Sequence, residues 1–341
     1  MTVWYTLTLS PDCAKFFRLE EYTHVIGLIR VVVTSDDERF GMLRMIDQER
    51  RLNGEPELIR IVWCERRYTK EELAEAAYFQ AIPNQRFEPT GEECGTLYDS
   101  SLTCDVCGAG RRRVSQLRVD LRTLPKKGGF TTSLSGEHVV GAELASAMQV
   151  AGLRGFRLSP VLHAGEKERT KKDFEWCSEG QRILQTAIGE GIEPLSNQFY
   201  LWLTRDSVSP LFQAFCAVEK QKARDLSGPM WPRMWFALDI LQTARLAEGT
   251  VASGDLLRPA GDGEYVCPNG HTIGWYLTSE AYFQKDSIQD ADLFQSDKLL
   301  TWHTPGNLIY PHPVLGCSRR FMDTFMAKKA RGLRFEIAHA V

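Results

Sequence analysis

The chain has 341 residues, enough for two domains or one large α/β body, and its 43% hydrophobic and 25% charged residues suit a globular protein with a sizeable core. A formal net charge of −3 argues against a generic phosphate-binding protein, although a local basic patch stays compatible with it. Met1-Thr-Val-Trp-Tyr-Thr-Leu lacks the basic and apolar regions of a signal peptide, and no run of 18 apolar residues is present, so the expectation is a cytoplasmic protein with no membrane span.

Val3–Leu9 alternates and is rich in β-branched and aromatic residues, which predicts a strand. Val25–Thr34 reads as a second, buried strand. Asp36–Leu52 has Phe40, Leu43 and Ile46 at three-residue intervals and is weakly helical; Leu58–Trp63 is another strand. Thr69-Lys-Glu-Glu72 is a capping box that opens a helix over Glu71–Phe79, stopped by Pro83. Val114–Leu121 predicts a strand, and Pro125-Lys-Lys-Gly-Gly129 a turn or loop. Glu137–Gly141 is a short strand or turn before a helix over Ala142–Ala151, which Gly152 terminates. Gly155–Leu162 is a strand, and the charged residues 164–176 form an exposed connection. The middle of the chain is helix-leaning (Ser178–Ala187 and Ser209–Ala223), with a strand over Gln198–Thr204 and an aromatic cluster of Trp231, Trp235 and Phe236 that suits core packing. Strands follow at Lys298–His303 and Leu308–Tyr310, joined by the turn Thr304-Pro-Gly-Asn, then a helix to Lys329 and a strand from Arg331 to Ile337.

Two segments carry the chemistry. Cys104-Asp-Val-Cys107-Gly108 places two thiolates on one side of a tight turn, and the glycine lets backbone N–H groups point at sulfur. Cys267-Pro-Asn-Gly270-His271 presents a second pair of ligands four residues apart. Together Cys104, Cys107, Cys267 and His271 supply one tetrahedral Cys3His site for structural zinc, stapling remote parts of the chain. Cys94 is an alternative fourth thiolate in place of Cys267 or His271, or a structural cysteine nearby. Nine cysteines is an odd number, and a metal-binding cytosolic protein fits it better than a disulfide framework. Cys13, Cys64, Cys177, Cys216 and Cys317 are scattered and read as small buried hydrophobes.

A degenerate repeat links the two segments. His138-Val-Val-Gly141, a helix and Arg154-Gly155-Phe-Arg-Leu in the first half are echoed by His312-Pro-Val-Leu-Gly316, a helix and Arg331-Gly332-Leu-Arg-Phe. The glycine spacing differs by two between the copies (155 − 141 against 332 − 316). The expected fold is therefore mixed α/β: two pseudo-repeated strand–helix–strand halves joined by a split zinc-ribbon-like site, plus a helical middle region. The expected divisions are 1–90, an N-terminal α/β region; 91–163, the first knuckle half; 164–262, the helix-rich middle; and 263–341, the second knuckle half.

Cys104-Asp-Val-Cys107-Gly, Leu153-Arg-Gly-Phe and Cys267-Pro-Asn-Gly-His resemble bacterial proteins with a double CxxCG motif. The helix followed by Gly-Leu-x-Gly-Phe looks like the related immunity proteins of polymorphic toxin systems. The resemblance covers roughly residues 90–163 and 263–341, and it departs at Gly270-His271, where Cys-Gly would be expected. It implies a protein partner, a cognate toxin that this chain binds and neutralises, and such a role needs a rigid complementary surface rather than catalytic residues.

Two other classes of function compete with this one. A nucleic-acid-binding reading takes the zinc ribbon with Arg111–Arg113 and Lys126–Lys127, against a negative net charge. An enzyme reading has only His163 beside Glu166 and Glu168 as a general-base idea. The zinc-deaminase order of ligands, a GxGxxG turn and a P-loop are all absent from the sequence.

Overall fold

The computed structural model describes residues 1–101, 103–106, 109–125, 129–165, 171–175, 177–204, 209–211, 213–215, 235–253, 265–269, 271–273, 276–303 and 309–341. The protein is mixed α/β. Among the described residues, no helix is long and apolar enough to cross a membrane.

Strands β1 (Thr2–Leu9), β2 (Tyr22–Val25), β3 (Leu28–Thr34) and β4 (Ile59–Arg67) form an antiparallel sheet in the order β2-β3-β1-β4, with helix α1 (Glu38–Leu52) between β3 and β4 in the chain. The segment read as one strand over Val25–Thr34 is a hairpin, because Ile26 and Gly27 both take positive φ and reverse the chain. Along β3 burial alternates: Ile29, Val31 and Val33 point inward, where Leu7, Leu9 and the α1 residues Phe40 and Leu43 meet them. Asp37 caps α1 by accepting from the Arg39 N–H, and buried Asp47 ties the helix to β4 by accepting from the N–H groups of Leu58 and Ile59.

Helix α2 (Lys70–Glu75) has the expected capping box between Thr69 and Glu72, but it ends at Glu75 rather than Phe79. Tyr78–Pro83 is instead strand β5, followed by β6 (Arg86–Phe87). Then come β7 (Tyr98–Asp99), β8 (Arg112–Arg113), β9 (Arg118–Val119), β10 (Phe130–Ser133) and β11 (His138–Gly141). The strand expected over Val114–Leu121 is thus reduced to its centre, β9. Helix α3 (Ala142–Val150) leads to β12 (Phe156–Pro160) and β13 (Leu162–His163).

The middle holds α4 (Lys172–Glu175), α5 (Ser178–Gly189) and α6 (Asn197–Thr204). The last corrects the strand expected over Gln198–Thr204. Phe199, Tyr200, Trp202 and Leu203 are all buried, and helical packing against Phe174 and α3 overrides their β propensity. Phe174 lies inside the stretch read as an exposed connection, yet it is a core residue stacked against Phe215. Most of the expected helix Ser209–Ala223, Trp231, Lys126–Lys127 and the turn Thr304-Pro-Gly-Asn lie outside the described residues.

The chain continues with β14 (Trp235–Ile240), β15 (Thr243–Ala244), β16 (Ala252–Ser253), β17 (Tyr265–Val266), β18 (Thr272–Ile273), β19 (Tyr276–Leu277), β20 (Ala281–Phe283), helix α7 (Lys285–Ile288), β21 (Leu293–His303), β22 (Ile309–Ser318), α8 (Arg319–Ala327) and β23 (Leu333–Ala340). Two large sheets result. One has the order β12-β14-β11-β10-β6 and the other β15-β21-β22-β5-β23-β20. In the first, β14 lies between the two strands that flank α3. In the second, β5 lies between the two strands that flank α8. The inserted strands send Phe79 and Ala81, and Phe236 and Leu238, into one shared core with Leu144, Met148, Phe321 and Phe325.

The same backbone bonds occur in both sheets. Phe130 N–H donates to Arg331 O (2.8 Å), and Leu293 N–H to Arg154 O (3.0 Å). Asn84 N–H donates to Gly332 O (3.0 Å), and Leu241 N–H to Gly155 O (2.8 Å). Gly155 and Gly332 have φ of +96° and +103°, and a Cβ on either would strike a carbonyl oxygen, that of Leu293 or of Phe130. Gly316 lies inside β22, and Ser318 is the residue that precedes the helix. Gly141 and Ser318 donate their N–H groups to Gly129 O and Asp292 O, and each stands 14 residues before its glycine (155 − 141 and 332 − 318).

Where β11 and β22 approach, two histidine rings are enclosed. His138 Nδ1 meets Thr132 Oγ1 at 3.1 Å, and His312 Nε2 meets Leu134 O at 3.1 Å. Each residue keeps a little accessible surface, but its ring is surrounded by protein. Burial pushes both pKa values down to about 4; the His312 side of the pair adds to the effect at His138, and nearby Arg86 adds to it at His312. The unfolded chain therefore takes up protons first, near pH 6.5. Stability from these neutral rings is complete above that pH and is lost as pH falls towards 4, by about 3 kcal/mol per ring. Urea unfolding at pH 7 and pH 5 should show the loss, smaller in His138→Asn. Equal midpoints at the two pH values would refute it.

Candidate metal centre

The two ligand segments fold as closed turns. In the first, Cys104 N–H donates to Ala109 O at 2.7 Å, and the flanking strands β7 and β8 pair antiparallel. In the second, Cys267 N–H donates to His271 O at 2.8 Å, and β17 and β18 pair on either side, with β18 packed against β21.

The turns meet. Cys104 Sγ lies 3.8 Å from Cys267 Sγ, which lies 3.3 Å from His271 Nδ1. The three donor atoms all fall within 4.8 Å of one another, so one metal ion can be held among them. The sulfurs are far beyond the roughly 2.05 Å of a disulfide, and none of the seven described cysteines is in a disulfide. Cys104 and Cys267 are 7% and 2% exposed, with Ala109 and Leu299 packed against them, which shields the two sulfurs from water, while His271 is half-buried.

Of the four expected ligands the fold brings Cys104, Cys267 and His271 together; Cys107 lies outside the described residues. Cys94 is not in the group. It is buried near Asp120 and Glu137, in the turn where its N–H donates to Thr90 O and Gly91 O, and burial raises its thiol pKa. Of the scattered cysteines, Cys13 and Cys317 are fully buried. Cys64 and Cys177 are partly exposed, and Cys177 caps α5. One contributor was not singled out from sequence. Asn269 Nδ2 donates to Cys104 Sγ (3.3 Å) and to Asp105 Oδ1 (3.0 Å), tying one turn to the other. Its only sequence signal is its place inside Cys267-Pro-Asn-Gly-His.

Each ligand turn is also anchored at its base. Leu97 N–H donates to Ser115 Oγ (2.8 Å) and Val114 N–H to Leu97 O (3.0 Å). Val251 N–H donates to Ser279 Oγ (2.8 Å) and Thr278 N–H to Val251 O (3.0 Å). Thr96 Oγ1 accepts from Arg118 N–H (2.8 Å) and donates to Arg118 O; Thr250 Oγ1 accepts from Tyr282 N–H (2.9 Å) and donates to Tyr282 O.

The basic triplet is largely used inside the chain. Arg111 pairs with Glu92 and lies over the Tyr98 ring, and Arg113 pairs with Asp239. His163, the general-base candidate, accepts from the Leu121 N–H at 3.3 Å; Glu166 and Glu168 lie outside the described residues. Fold and site thus define a mixed α/β protein with a Cys2His cluster able to hold a metal. Comparison with family models, with curated proteins and with solved structures finds no match.

Proposed function

We propose that this centre holds structural zinc, with Cys107 as fourth ligand, and that the chain is a protein-interaction module, most concretely an immunity protein that binds and neutralises a cognate bacterial toxin. The observation that carries the metal is the donor spacing. A tetrahedral zinc with bonds of about 2.3 Å to sulfur and 2.0–2.1 Å to nitrogen sets its ligands about 3.8 Å (S to S) and about 3.5 Å (S to N) apart. The edges here are 3.8 and 3.3 Å. Thiolate and imidazole are also the donor types that favour zinc over magnesium or calcium.

Four protein ligands leave no position for water, which is the arrangement of a structural site. The chain is then two pseudo-repeated halves joined at a metal, a rigid platform for a partner. Support for the repeat comes from the two strand–helix–strand units, each with a strand from elsewhere inserted, and from the paired backbone bonds. The resemblance to double-CxxCG proteins points this platform towards toxins. The internal pairing of Arg111 and Arg113 weighs against the nucleic-acid reading, since it leaves fewer free guanidinium groups for phosphate.

The test starts with the reading frame beside the gene. It is expected to encode a large secreted toxin whose product this chain captures in a pull-down and whose toxicity it suppresses on co-expression. A neighbouring toxin that is neither bound nor suppressed sinks the immunity reading.

A further inference from the structure

The anchors at the bases of the two ligand turns match bond for bond, and the match reaches beyond the turns. Gly95-Thr96-Leu97 and Gly249-Thr250-Val251 enter the turns; Ser115 and Ser279 leave them. In each case a serine hydroxyl accepts the entering residue's N–H, and the N–H one residue before the serine donates to the entering residue's carbonyl. In each case the threonine hydroxyl brackets the backbone N–H and C=O of the residue three after the serine, Arg118 or Tyr282. Those residues pair parallel with the ends of equivalent chain segments, Arg118 with Leu162 and Tyr282 with His339, at equal distances past Gly155 and Gly332 (162 − 155 and 339 − 332).

The same equivalence extends upstream. β5 and β6 precede the first turn as β14 and β15 precede the second, with β6 parallel to β10 and β15 parallel to β21. Yet β5 is inserted between β22 and β23, and β14 between β11 and β12. Each unit thus gives its first strand to the other. A chance likeness of two amphipathic helices predicts none of this.

We infer that the chain contains two copies of one strand-exchanging unit, and that Thr96 with Ser115 and Thr250 with Ser279 are equivalent clamps that position the two ligand turns on a shared metal. These four are positioning residues, since none contributes a ligand atom to the cluster. The exchanged strands fix the two units against each other, and the clamps fix each turn to its own unit. The ligands from 163 residues apart are thereby preset at bonding distance. The inference rests on the zinc reading and specifies how that site is held.

The test uses the full zinc-loaded chain and reads the chelator concentration that removes half the zinc, together with the melting temperature of the chelated chain. Thr96→Val, Ser115→Ala, Thr250→Val and Ser279→Ala should each weaken zinc retention about 10- to 100-fold, as loss of outer-shell support does. Equivalent members, Thr96 with Thr250 and Ser115 with Ser279, should agree to within about threefold. Thr96→Ser and Thr250→Ser keep the hydroxyl and should restore retention, which separates clamping from simple loss of folding. Thr131→Val, at a buried threonine whose hydroxyl has no partner, should leave retention unchanged. Loss confined to one half overturns the equivalence. Retention unchanged in all four variants overturns the clamps while wild type still carries one zinc. Wild type that carries none is a separate result and overturns the metal reading with them.

Discussion

Cys267→Ala is expected to produce a chain that carries no zinc and melts far below wild type. Cys267 is the hub of the centre: its sulfur contacts both Cys104 Sγ and His271 Nδ1, and it is 2% exposed. Of the described ligands, its removal leaves Cys104 and His271 on different turns with no sulfur between them. Binding of structural zinc is worth about 10–16 kcal/mol in zinc-finger peptides at neutral pH, and that free energy is folding free energy. Here the large shared core carries much of the fold, so the loss falls on the ligand turns and on the contact between halves, at about 3–5 kcal/mol overall. Cys107→Ala should behave alike if Cys107 is the fourth ligand. The measurement is metal content by elemental analysis, with thermal melting before and after a strong chelator. Identical melting curves with and without chelator would defeat the structural-zinc reading.

The cluster of Cys104, Cys267 and His271 was legible in the sequence because its signals are short-range. A turn with ligands three or four residues apart needs only local geometry, so Cys267 and His271 could be read directly. That Cys104 joins them followed from counting donors, since one turn supplies half of a tetrahedron. Asn269 was not legible: an amide that donates to sulfur across two turns has no spacing rule. Mixed α/β content was readable from alternation and from the capping box at Thr69, but element type failed where tertiary burial decides. Residues 197–204 are aromatic enough for a strand, yet they pack as a helix because one stripe of them fills the core. Tyr78 and Phe79, the start of β5, read as the end of the preceding helix because they extend an apolar pattern that begins there. Its place at the centre of a sheet built from residues beyond 240 is a non-local fact that no window of sequence holds. The sequence likeness of Arg154-Gly155 and Arg331-Gly332 has a shared backbone cause, because both glycines take a positive φ. Gly316, aligned with Gly141 from the sequence, lies inside β22, and Ser318 is the residue that precedes the helix.

Glu336→Ala should destabilise the protein by about 3–5 kcal/mol, by breaking the ion pair between the N-terminal sheet and the six-stranded sheet. Arg66 and Glu336 are 6% and 2% exposed. Arg66 Nη1 lies 2.8 Å from Glu336 Oε2, the Arg66 N–H donates to Oε1 at 3.0 Å, and Nη2 donates to Leu277 O at 3.0 Å. Arg334 lies 3.1 Å from the same carboxylate. Truncating Glu336 strands Arg66 as a buried cation with one carbonyl left, and that desolvation cost is what the loss measures rather than the worth of the pair. The double variant Arg66→Met with Glu336→Leu removes both charges and fills the space, so it should recover most of the stability. Urea unfolding decides between the alternatives. If Glu336→Ala unfolds within 1 kcal/mol of wild type (roughly the ceiling for an exposed pair), the contact is open to solvent and the N-terminal sheet is not docked through it. If the double variant is as unstable as the single one, the guanidinium serves packing that methionine cannot replace, and burial of an unpaired charge is not the cause. The outcome also bears on the metal centre. Leu277, whose carbonyl Arg66 holds, ends β19, next to Thr278 and Ser279 at the base of the second ligand turn. Zinc retention in Glu336→Ala should therefore fall along with stability, whereas the double variant regains stability but not the Leu277 bond.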